Sequence, residues 1–104
     1  MANRYRGEIE AEIGGRRRML VLTLGALAEL ETALGADDLI ALSERFASGR
    51  LKARDLVAVI GAGLRGAGEA VADEEVARMP VAGGAAGYVR IAAELIAATF
   101  GEAA

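Results

Sequence analysis

Residues 6–22 read RGEIEAEIGGRRRMLVL, and this stretch decides the fold class. Arg6, Glu8, Glu10 and Glu12 alternate with Gly7, Ile9, Ala11 and Ile13, the period of two that marks a half-buried strand. Gly14-Gly15 follows, and paired glycines accept the positive φ angles of a tight hairpin turn. Arg16 to Leu22 is then the return strand. A two-residue loop pairs Ile13 with Arg16, Ala11 with Arg18, Ile9 with Leu20 and Gly7 with Leu22, and sets Glu12 opposite Arg17 on the other face. It gathers Ile9, Leu20 and Leu22 on one side. A slip of one residue would instead pair Glu12 with Arg16 and Glu10 with Arg18. Two strands alone are marginal in water, so this hairpin needs cover from the rest of the chain.

That cover reads as helix. Thr23 suits an N-cap, Leu24, Leu27, Leu30 and Leu34 follow at helical spacing, and Gly35 sits where a helix ends. A second helix starts at Asp37 or Asp38, carries Leu39, Leu42 and Phe46, and stops at Gly49. A third runs from Lys52 or Ala53 with Leu56, Val57, Ile60 and Leu64 on one stripe. A short fourth begins at Asp73 with Glu74 and Glu75 in its first turn and runs into Met79-Pro80. The last spans about Ala85 to Phe100, after the glycine-rich joint PVAGGAAG at 80–87. The expected fold class is α+β: an N-terminal two-stranded β-hairpin packed against a small bundle of four to five α-helices. Residues 1–104 make a single domain, with the hairpin at 6–22 and the helical part at 24–100.

Composition narrows function. The chain has 104 residues, no Cys, no His and no Trp. It therefore has no thiolate metal site, no cysteine nucleophile and none of the imidazoles that most often act as general base or metal ligand. The net charge of −3 argues against a dedicated nucleic-acid binder. No apolar run reaches the ~20 residues of a membrane helix, and the first residues lack the apolar core of a signal peptide. The expectation is a soluble cytoplasmic protein that is not an enzyme and holds no cofactor or metal.

Several motifs carry a functional and a plain reading. LVAVIGAGLRG at 56–66 places Gly61, Gly63 and Gly66 in the G-x-G-x-x-G spacing of a dinucleotide loop. That loop needs a βαβ unit and a second strand ending in an acid, and residues 67–104 supply neither. The plain reading is a helix whose glycines admit close neighbours. Arg45, Arg50, Lys52 and Arg54 surround one turn, interrupted by Glu44 and Asp55, and read as a solvated turn rather than a phosphate site. Arg16-Arg17-Arg18 at the hairpin tip read as cross-strand partners of Glu10 and Glu12, the functional reading being contact with an acidic partner. The acids at 37–38 and 73–75 read as helix-start charges. The last helix is apolar nearly all round, its polar side limited to Arg90, Glu94, Thr99 and Glu102, so either it is centrally buried or part of it waits for a partner. Tyr88, Ala92 and Leu95 are expected to face the domain. Val89, Ile96 and Phe100 form a second strip, the candidate partner-binding residues, expected to be partly exposed on a helix hinged at Gly83, Gly84 and Gly87.

The segments NRYRGEIEAEIGGRRRMLVLTLGALAELETALGADDL, SERFASGRLKARDLVAVIGAGLRGAG and DEEVA together resemble the small tail proteins of gene transfer agents and related long-tailed phages. These are classed as tail assembly chaperones and sometimes labelled tail tube proteins. The most specific stretches are TLGALAELE at 23–31 and GRLKARDLVAVIGAGLRG at 49–66. The resemblance implies a prophage-derived, non-enzymatic protein expressed in a bacterial cytoplasm. It implies a tail assembly chaperone that coats the tape measure protein until the tube protein polymerises around it. The implied partners are the tape measure protein and the tail tube protein, with self-association left open and with neither nucleic acid nor membrane. The alternatives are a structural tube subunit of the same particle and, from the glycine motif, a small nucleotide-binding domain.

Overall fold

A computed structural model describes residues 2–35, 39–49 and 52–100 of the chain. It is α+β: a two-stranded antiparallel sheet, β1 (Glu8–Ile13) and β2 (Arg16–Val21), then α1 (Leu24–Leu34), α2 (Leu39–Ala47), α3 (Ala53–Gly66), α4 (Asp73–Val76) and α5 (Gly84–Thr99). A 3-10 turn at Arg4–Arg6 precedes the hairpin and lies against α5. Asp37, Asp38, Arg50 and Glu102 lie outside the described residues, as do the side chains of Leu39 and Leu42.

The hairpin takes the two-residue register: Ile13 faces Arg16, Glu12 faces Arg17, Ala11 faces Arg18 and Ile9 faces Leu20. Gly14 and Gly15 both hold positive φ, 64° and 80°, the backbone that such a turn demands. The slipped register would carry Ile9, Ala11 and Ile13 to the solvent face, and burial selects against it. Those three side chains and Leu20 are buried, while Glu10, Glu12 and Arg17 are exposed.

The inner face of the sheet lies on two helices, with α3 beneath β2 and α5 beneath β1. α1 packs on α3, α2 touches α1 and α5, and α4 packs on α3. The Thr23 hydroxyl accepts from Ala26 N–H at 3.1 Å, which caps α1. Gly35 closes that helix in the left-handed conformation. On α1 the apolar stripe is Ala26, Leu27 and Leu30, with Leu34 half-buried. Leu24 is 83% exposed, although the spacing puts it on that stripe, because it occupies the first helical position, beyond the cover of α3.

The most enclosed helix is α3 rather than α5. From Asp55 to Leu64 every residue but Val57 is buried, because β2, α1, α4 and α5 all lean on it. α5 buries Gly87, Ile91, Ala92, Leu95 and Ile96 and leaves Val89, Arg90, Ala93 and Glu94 exposed. It is thus an amphipathic surface helix with one apolar shoulder.

Candidate functional site

The glycine motif lies inside α3, where a phosphate-binding turn between strand and helix would have to sit. Each glycine has a packing reason. A Cβ at Gly61 would strike the carboxylate of Asp73. At Gly63 it would stand 2.6 Å from Leu95 Cδ2 and 3.2 Å from Leu20 Cβ. At Gly66 it would overlap the backbone carbonyl oxygen of Val21. The motif therefore brings α4, α5 and β2 close to α3, as the plain reading expected.

Charged groups at the same place tie elements together. Arg65 pairs with Glu29 of α1 and with Asp73 of α4, the latter at 2.9 Å, and donates to the Val71 carbonyl at 2.9 Å. The hydrogen bond that Arg65 donates to Glu29 leads the causes that raise the Arg65 pKa above its already high ordinary value. Arg18 departs from the expectation of cross-strand pairing. It points to the inner face, buried, donates Nε to the Ile13 carbonyl at 2.8 Å and pairs with Glu69. Its place opposite Ala11 on the apolar side dictates this turn inward. Arg17 alone keeps a cross-strand partner, Glu10 at 3.7 Å, diagonally across the ladder.

The basic turn is also structural at its centre. Arg45 donates to the Leu34 carbonyl at 3.2 Å and sits 3.5 Å from Asp55. Asp55 is fully buried and accepts from Lys52 N–H at 3.0 Å. Its Oδ1 has no hydrogen-bond partner among the described residues. Sequence reasoning took Asp55 only as an interruption of the basic cluster. The signal for more was its place three residues after Lys52, the position from which a carboxylate reaches back to a helix's first N–H. Lys52 and Arg54 are exposed.

The strip assigned to partner binding divides. Val89 is 40% exposed and Phe100 half-buried, but Ile96 is only 6% exposed, so the partial exposure expected of it is not found. Ile96 belongs with Phe46 of α2 to the hydrophobic core, where α2 meets α5. Ser43, Phe46, Ala47, Ile96, Ala97 and Phe100 line an apolar groove of about 350 Å³ between the two helices. On the opposite side of α5, Ala92 and Leu95 are fully buried, and the Tyr88 hydroxyl reaches the carbonyls of Met79 and Val76, the latter at 3.0 Å. Burial raises the Tyr88 pKa. The expected hinge is tied down. Gly83 and Gly84 do hold positive φ, 88° and 58°, but the Cβ position at Gly87 is filled by the Ala82 carbonyl. Gly14 N–H also bonds the Pro80 carbonyl at 2.8 Å.

Among the described residues, no helix is long and apolar enough to cross a membrane. The described residues form a small helical body with a charged hairpin and an apolar interhelical groove. A family model described as phage tail tube protein, GTA-gp10, matches residues 6–102. The chain belongs to that family and is a phage-like tail protein of the gene transfer agent type. No curated protein and no solved structure matches it.

Proposed function

We propose that the chain acts without catalysis, as a structural subunit of the tail tube, in contact with other tail components. The observation that carries this reading is the family match over residues 6–102, whose description names the tube. It favours the structural alternative over the chaperone that the sequence resemblance put first. The decisive experiment is quantitative mass spectrometry of purified particles. A tube subunit is repeated along the tail, so it is expected at a copy number like that of the most abundant tail proteins. Absence from intact particles refutes the structural role.

A second reading, the tail assembly chaperone that binds the tape measure protein, draws on one feature, the apolar groove between α2 and α5. A helix laid in such a groove is a common mode of recognition. Because Ile96 is buried, the test leaves it in place and changes two other lining residues of the groove, Ala97 and Phe100, to Ser. On this reading the double variant keeps its circular dichroism spectrum and no longer co-purifies with co-expressed tape measure protein. A folded variant that still co-purifies removes the helix from the contact.

A further inference from the structure

The tip of the hairpin is fixed against the segment between α4 and α5. Gly14 N–H donates to the Pro80 carbonyl at 2.8 Å, and Met79 Cγ lies 3.3 Å from where a Cβ on Gly14 would stand. This seam brings together arginines that are far apart in sequence. Arg16 and Arg17 begin β2 just past the turn, and Arg78 precedes Met79. All three are exposed. Arg16 pairs with the buried Ile13 and so stands on the same face of the sheet as Arg18, the face toward the helices. Arg17 stands on the other face. Neither Arg16 nor Arg78 has an ion pair among the described residues, and Arg17 has only Glu10 at 3.7 Å. This sets them apart from Arg18, Arg45 and Arg65, each held by an acid elsewhere in the chain.

At the same seam lies a cleft of about 240 Å³ lined by Glu12, Gly15, Pro80, Val81 and Ala82. Its walls are mostly small or apolar, and Glu12 is their one charged side chain. We propose that this end of the molecule docks an acidic segment of a partner protein, whose carboxylates meet Arg16, Arg17 and Arg78 while a neighbouring apolar side chain enters the cleft. Guanidinium groups take carboxylates as bidentate pairs, which orients the segment as well as attracting it. A protein segment fits better than a nucleic acid. Glu12 lies opposite Arg17, and Glu74 stands exposed four residues before Arg78, so a continuous run of phosphates across this end would also meet acids. The chain as a whole is net negative, at −3. Carboxylates spaced along a peptide, with an apolar residue among them, pair with the arginines and avoid the acids. The inference goes beyond the tube-subunit reading and does not depend on it, since a subunit and a chaperone could both use such a surface.

Fluorescence anisotropy of the full chain with a labelled peptide of Asp and Glu around one Leu tests this. The comparison probes are the same peptide with Asn and Gln in place of its acids, the acidic peptide with Gly in place of Leu, and a labelled DNA duplex. The acidic peptide is expected to bind saturably and to weaken as salt rises; the other probes bind severalfold more weakly. Arg16→Glu with Arg78→Glu is expected to weaken the acidic peptide by about tenfold or more. Both positions are exposed and without an ion pair, so this variant is expected to fold, and circular dichroism checks it. The milder Arg16→Gln with Arg78→Gln, which removes the charges without reversing them, acts in the same direction. Lys52→Glu with Arg54→Glu, an equal charge reversal at exposed positions at the start of α3, leaves the binding nearly unchanged. The proposal is overturned by no saturable binding, by DNA or either comparison peptide binding as tightly as the acidic peptide, or by equal weakening in the two charge-reversed variants. A folded Arg16→Glu, Arg78→Glu variant that binds like the original chain overturns it too.

Discussion

Replacing the glycines of α3 one at a time by alanine separates close packing from backbone freedom, because none of the three holds a positive φ. At Gly66 the added methyl meets the Val21 carbonyl, a backbone atom fixed by the β2 strand. Relief requires α3 and the hairpin to move apart, and overpacking of this kind costs about 1–3 kcal/mol, sometimes more. At Gly63 the methyl meets Leu95 and Leu20, both fully buried, with Leu95 Cδ2 at 2.6 Å. Those side chains have no empty space to enter, so a similar ~1–3 kcal/mol applies. It is offset by the ~1 kcal/mol that alanine gains over glycine in a helix interior, leaving a net loss of about 1 kcal/mol. At Gly61 the obstacle is the carboxylate of Asp73, the end of a side chain that is 42% exposed and can rotate away. Rotation weakens the Asp73–Arg65 pair, worth about 0.2–1 kcal/mol at such exposure. The helix gain cancels this, and Gly61→Ala is neutral or slightly stabilising.

Urea unfolding followed by circular dichroism measures the series, and with a total stability of roughly 5–15 kcal/mol for a domain of this kind all three shifts are readable. The expected order of loss is Gly66→Ala, then Gly63→Ala, then Gly61→Ala near zero. Equal losses at the three positions would refute the packing account. So would a stabilised Gly66→Ala, since a methyl that fits there means that α3 does not meet β2 through bare backbone.

The hairpin faces predict a contrast: Leu22→Ala, at a buried position, costs about 2–5 kcal/mol, whereas Glu10→Ala on the solvent face costs well under ~1 kcal/mol. Equal urea midpoints for the two variants would reverse the face assignment. Tyr88→Phe removes the hydroxyl that reaches the Val76 and Met79 carbonyls, and is expected to cost about 0.5–1.5 kcal/mol by thermal unfolding. The raised pKa of Tyr88 adds a pH signature. Its neutral form is favoured in the fold, so this contribution is intact below the unfolded value of about 10 and is lost as pH rises above it. Tyr88→Phe should flatten that alkaline loss, and an unchanged alkaline limb would show that the hydroxyl is not held in the fold.

How far the sequence discloses this protein depends on which physical signal each part carries. The hairpin is legible because two periodicities coincide, the alternation of Ile9, Ala11 and Ile13 with glutamates and the paired glycines that fix the turn. The dominance of α3 is not legible from hydropathy. Its enclosed surface is built from Ala58, Gly61, Ala62 and Gly63, residues whose value lies in what they let approach, and that depends on Leu20, Asp73 and Leu95, distant in sequence. The same logic misplaces one residue of α5: Ile96, expected to be partly exposed, is buried, whereas Val89 is exposed as expected. Charge is legible where partners are local, as for Glu10 and Arg17, and hidden where they are remote, as for Arg18 with Glu69 and Arg45 with Asp55. The surface left over is informative for that reason. Once Arg18, Arg45 and Arg65 are drawn into the fold by remote acids, the exposed charges of the two strands are Glu10 and Glu12 on β1 and Arg16 and Arg17 on β2. That separation by strand is created by the register and concealed by the composition, in which the segment is nearly neutral.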